Sequence, residues 1–250
     1  MMRLKLESIA AALVAAGALV FATAAQASRV AVGEVGDDRF SATDVDAYFD
    51  EVSDADIFNS TTVPHASVCS NNDANTDVDW YSFTGFAGAT VFLDVDCGLG
   101  ATCDASSFDS TLSLFDSNGT LIAFGDDSIP ADPGSAEDLE SFVGALILPS
   151  TGAYYAAVSN YPRTPTSLES CSSLSSQTRP DGADSGYDTS GCTSGDDSFS
   201  TEGSYDTGDY RLHVSNSEPL PEPSGQLGLA AGGPLLGSLA RRRLRSRDAR

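Results

Sequence analysis

Residues 108–128 read FDSTLSLFDSNGTLIAFGDDS, and this stretch decides the fold class. Phe108, Leu112 and Leu114 fall on one face of an alternating run, while Ser110, Thr111 and Ser113 keep it polar; this is the period of a half-buried strand. Asn118-Gly119 supplies a turn, because a two-residue loop between strands of right-handed twist needs positive φ at both positions. The return strand, residues 120–124, runs into Gly125-Asp126-Asp127, a flexible residue followed by two adjacent carboxylates.

Working outward, further runs have the same character. WYSFT at 80–84 is aromatic and alternating. Residues 90–97 place Val91, Leu93, Val95 and Cys97 on one face against Phe92, Asp94 and Asp96 on the other. Apolar strands are predicted at 142–148 and 153–159 across a Pro-Ser-Thr-Gly turn. At 210–214, Tyr210, Leu212 and Val214 point inward, with Arg211 and His213 outward. Short strands at regular spacing predict an all-β protein, an antiparallel β-sandwich of jelly-roll-like form. The expected organisation is an acidic lead-in at 28–50 and the sandwich at 51–217.

Within the sandwich, residues 162–203 are rich in Ser, Thr, Asp and Gly. Such a composition offsets little ordering entropy, so the segment is expected to be a disordered insert closed by a disulfide. Cys171 with Cys192 is the preferred pair, and Cys97 with Cys103 can clip the loop before the hairpin. Cys69 is left over from the five cysteines, and other pairings stay open.

The two ends carry export features. Residues 1–27 combine Arg3 and Lys5 with an apolar run and a small-x-small site at Ala25-Gln26-Ala27, the pattern of a signal peptide. At the other end, Pro221-Glu222-Pro223 precedes an apolar run at 227–240 and the basic stretch RRRLR at 241–245. That run is short for a spanning helix, which needs ~20 residues. Extended back to Pro223 it can cross a thinned membrane, with the arginines held on the cytoplasmic side.

Charge excludes one class of partner. The whole chain has a net charge of −23, and of its 36 acids only Glu7, Glu222 and Asp248 lie outside residues 28–221. The same span has no lysine and only Arg29, Arg39, Arg163, Arg179 and Arg211. Such a surface repels nucleic acid and anionic lipid and concentrates cations. The acids at 73–77 imitate the start of an EF-hand loop, but its sixth and twelfth positions hold Val78 and Thr84 in place of Gly and Glu. Carboxylates at strand ends can nevertheless converge on calcium, which takes six to eight oxygen ligands without a fixed motif.

Four segments in order carry a family resemblance: DVDWYSFTG at 77–85, FDSTLSLFDSNGTLIAFGDD at 108–127, LPSTGAYYAAV at 148–158 and GDYRLHV at 208–214. Together they resemble the bacterial pre-peptidase C-terminal domain. The resemblance implies a secreted β-sandwich, often attached to proteases and collagenases and sometimes binding calcium. It makes Asp77, Asp79, Asp109, Asp126 and Asp127 the calcium candidates. The 218–250 segment resembles a PEP-CTERM sorting signal, with its motif at Pro221, Glu222 and Pro223. That implies an exosortase-type processing enzyme, transient membrane anchoring, and release or attachment at a Gram-negative cell surface.

Catalysis finds little support among the residues. His65 and Cys69 are four apart and can be imagined as a nucleophile pair, but no orienting group or oxyanion-hole turn accompanies them. There is no G-x-S-x-G and no histidine pair at zinc spacing. No feature selects one carboxylate pair for glycoside hydrolysis. No catalytic residue is therefore assigned, and the expected function is a non-enzymatic surface or extracellular-matrix module contacting an extracellular polysaccharide or surface protein. The rival expectation is a secreted hydrolase, or the detached accessory or binding domain of a secreted protease or glycosidase.

Overall fold

The structure is a computed structural model that describes residues 29–97, 99–100, 103–104, 109–189, 191–201 and 207–217. The signal peptide and the Pro221–Glu222–Pro223 sorting motif lie outside the described residues. Among the described residues, fourteen strands follow in order. They are β1 (Arg29–Ala31), β2 (Thr43–Asp44), β3 (His65–Asn72), β4 (Val78–Gly85), β5 (Thr90–Asp96), β6 (Leu99–Gly100) and β7 (Cys103–Asp104). Then come β8 (Ser110–Phe115), β9 (Leu121–Gly125), β10 (Phe142–Ile147), β11 (Gly152–Asn160), β12 (Ser175–Thr178), β13 (Asp184–Asp188) and β14 (Gly208–Ser217).

Two sheets form a sandwich. One has the order β1-β3-β14-β5-β10 and the other β12-β13-β9-β8-β11-β4-β2, while β6 and β7 pair separately. Pairing is mostly antiparallel, but β1 runs parallel to β3 and β2 parallel to β4, so the acidic lead-in contributes one edge strand to each sheet. Alternation explains the interior. Val91, Leu93, Val95 and Cys97 meet Tyr210, Leu212 and Val214 from the first sheet and Leu112, Leu114, Ala156 and Val158 from the second. Burying a side chain of this size contributes about 1.5–3 kcal/mol.

The hairpin forms, but its turn is different from the expected one. Gly119 has φ +81°, whereas Asn118 does not have positive φ. The Asp116 carboxylate accepts hydrogen bonds from the amides of Asn118 and Thr120 at 2.8 and 2.9 Å. The amide of Asp116 in turn donates to Thr120 O. This arrangement holds a three-residue loop with one left-handed glycine.

Both outer faces are covered, which corrects two expectations. The insert is ordered rather than disordered: β12 pairs with β13, and β13 pairs with β9, lengthening the second sheet. Its Cys171–Cys192 disulfide is present. Cys192 and Phe199 pack with Trp80, Phe115 and Leu121 over that sheet's outer face. On the first sheet, Arg211 and His213 do point away from the core, yet each is only 1% exposed. Residues 50–60 and the loop between β9 and β10 lie over them. Cys97 lies inside the core, and Cys69, left over in the expected pairing, is disulfide-bonded.

Candidate metal centre

Of the five acids singled out in the sequence, three come together. Asp109 lies one residue before β8 and Asp126 one residue after β9. The register that pairs Leu112 with Gly125 therefore sets both at the open end of the hairpin. With Asp127 they offer three carboxylate oxygens within 4.8 Å of one another. Oxygens bound to one calcium at 2.3–2.6 Å are separated by at most about 5 Å, so this spacing suits a single ion. Asp126 Oδ1 is buried and has no hydrogen-bond partner. Burial, then Asp127 and Asp109, push the Asp126 carboxyl up to about 7. Asp126 and Asp127 border a groove of about 410 Å3 that also holds Ile129, Asp184 and Tyr187.

The other two acids part company. Asp77 joins Glu34 and Asp73, which the sequence reading did not select, in a second group of three within 4.8 Å. Glu34 follows β1 and Asp73 follows β3, so the parallel pairing of those strands brings the group together. Asp79 belongs to neither group. It is fully buried on β4 and accepts a hydrogen bond from the Tyr210 hydroxyl, which lies 2.7 Å from that of Tyr81. Burial, followed by Asp77 and Glu34, raises the Asp79 carboxyl to about 8.

A third group, Asp94, Asp96 and Asp132, lies inside the protein on the covered face of the first sheet. Alternation did place Asp94 and Asp96 on one face of β5, but that face reads as solvent-facing until the covering loop is known. Asp94 is raised well above the ordinary carboxylate range by burial and by Asp96, Asp132 and Glu140.

A hydrogen-bonded row on the same face resembles catalytic chemistry only in its residue types. Ser67 Oγ lies 2.8 Å from His213 Nδ1, and His213 Nε2 lies 2.9 Å from Asp96 Oδ2. Ser67, His213 and Asp96 are 2%, 1% and 0% exposed, so the hydroxyl faces no cleft. The imagined His65 and Cys69 pair fares no better, since Cys69 is in a disulfide and His65 Nε2 lies 3.5 Å from Asp50. Among the described residues no helix is long and apolar enough to cross a membrane.

No curated protein matches the chain. Among solved structures, the chain is similar to PliG of Aeromonas hydrophila, described as a periplasmic lysozyme inhibitor of g-type lysozyme. The two share 13% identity, with 76% of this chain and 99% of that one covered and a TM-score of 0.29. Residues 77–160 match the family described as bacterial pre-peptidase C-terminal domain, and the domain together with the disulfide fits an exported bacterial protein. The stretch from Asp77 to the end of β11 is thus the part of the chain that matches the bacterial pre-peptidase C-terminal domain.

Proposed function

We propose that the chain is a non-enzymatic exported module of the bacterial surface or extracellular matrix, stabilised by calcium and processed at its C-terminal sorting segment. The observation that carries the calcium reading is the convergence of Asp109, Asp126 and Asp127 at the hairpin's open end. Without a cation these carboxylates repel one another, and an ion binding them ties β8 to β9. The adjoining groove offers a polysaccharide or surface protein an exposed tyrosine, Tyr187, beside the ion. The burial of Ser67 and the disulfide at Cys69 support a non-enzymatic reading. An exosortase-type enzyme acting near Pro221, Glu222 and Pro223 is part of the same proposal.

Calorimetric titration tests it. Calcium is expected to bind the purified chain, and the double variant D126N/D127N is expected to lose one binding event. Equal calcium binding by the double variant and the wild type would overturn this site. For sorting, replacing Pro221 and Pro223 by Ala is expected to leave the chain unprocessed in its host, read as retained mass at the C-terminus.

A further inference from the structure

The covered face of the first sheet contains an imbalance of charge that the surface sites do not explain. Asp94 and Asp96 project from β5, and Asp132 and Glu140 reach them from the loop between β9 and β10. All four are at most 6% exposed. The cations nearby are already engaged. Arg211 and Arg29 bond Asp56 at 2.8 and 2.6 Å, and Arg179 is shared between Asp181 at 2.7 Å and Asp132 at 3.6 Å. Four carboxyl groups thus face one arginine and one histidine, so without a bound cation some of them must hold protons. Burying an uncompensated charge is strongly unfavourable.

Two further observations point to a missing partner rather than to a set of self-satisfied acids. Asp94 is 5% exposed, and its Oδ1 is buried without a hydrogen-bond partner. Glu140, 1% exposed, lies close enough to raise the Asp94 carboxyl. The loop is shaped to come close. Gly134 has φ +102°, and a Cβ there would fall 2.3 Å from Asp96 Oδ2, so only glycine lets the backbone settle over the carboxylate.

We infer that Asp94, Asp96, Asp132 and Glu140 form an internal site for one divalent cation of the calcium class, which clamps the β9–β10 loop onto the sheet. The donor set is all oxygen and all carboxylate, which suits a hard cation and not zinc or copper. Oxygens of Asp94, Asp96 and Asp132 within 4.8 Å match a single coordination shell. His213 acts from behind: held by Ser67, its ring bonds Asp96 Oδ2 and fixes that ligand's orientation. Ser128 and Ser135 do the same for Asp132. This site is separate from the hairpin-end group, and its ion is expected to leave only when the loop opens.

The test uses the full chain with both surface groups weakened, D73N/D126N/D127N. After equilibration in calcium and desalting, bound metal is counted by atomic emission. One calcium per chain is expected to remain, released slowly by chelator, and adding D94N is expected to remove it. A D73N/D126N/D127N chain that retains no calcium would overturn the internal site whether or not the D94N chain folds. Retention of the ion by a folded D94N chain would also overturn it.

Discussion

The Tyr210 hydroxyl donates a hydrogen bond to the Asp79 carboxylate across the interior of the sandwich, from β14 in one sheet to β4 in the other. Tyr81 completes the chain of hydroxyls at 2.7 Å. This polar link ties the two sheets together at a point where Asp79 has no access to water. Replacing Tyr210 by Phe leaves a buried carboxyl with one fewer donor. The expected cost is about 2 kcal/mol, since leaving a buried polar group short of its partner costs about 1–3 kcal/mol. Chemical denaturation of wild type and Y210F reads this directly, and an unchanged midpoint would deny the link its role.

Acidity gives the fold a distinctive pH response. Asp79 is raised to about 8, Asp126 and Glu140 to about 7, and Asp132 to about 6, each chiefly by burial. A carboxyl raised in the folded state takes up protons more readily there than in the unfolded chain. Its contribution is complete below the unfolded value and is lost as pH climbs through the folded one. In chelator, the thermal midpoint is therefore expected to rise as pH falls from about 8 to about 5. Below that window Asp54 and Asp181, held low chiefly by hydrogen bonds and by Arg29 or Arg179, begin to lose their partners. Calcium should flatten the dependence by taking the place of protons. A midpoint that falls between about pH 8 and about pH 5 in chelator contradicts these shifts.

The disulfide joins Cys171 to Cys192 across a separation of 21 residues. Loop closure of that length contributes about 3 kcal/mol in the chain-entropy model. Cys192 also packs in the cluster that contains Trp80, and Phe199 lies 5.9 Å from the indole. Because Trp80 is the single tryptophan, its fluorescence reports on the insert. C171S/C192S is expected to red-shift the emission and to speed hydrogen exchange across residues 175–188. Identical spectra would mean that the insert holds its place without the crosslink.

How far the fold could be read depended on whether polarity and exposure coincided. The strands at β4, β5, β8, β9, β10, β11 and β14 were legible because apolar side chains alternate and the core takes one face. β3 was not, since Ser67, Cys69 and His65 look like a wet face but are buried beneath residues 50–60. β12 and β13 (SSQT and DSGYD) have no apolar alternation at all. They are held by the edge of β9 and by Gln177 and Ser185, whose side chains bond the backbone of Gly144. Among the acids, Asp109, Asp126 and Asp127 were legible from the hairpin. Glu34 and Asp73 join Asp77 only through the parallel pairing of β1 with β3, which no local pattern announces.

Calcium-dependent stabilisation is the central claim, and the thermal midpoint of the purified chain tests it most directly. The comparison is chelator against millimolar calcium at fixed high ionic strength, with magnesium as control, so that general screening is constant. At a hundred times the dissociation constant, one site adds ~2.7 kcal/mol. For a domain of this size that raises the midpoint by about 5–10 °C. The account expects that rise with calcium, little with magnesium, and a smaller rise in D126N/D127N. Midpoints that coincide in chelator, calcium and magnesium would contradict it and leave the acidic groups as solvated or protonated features of the fold.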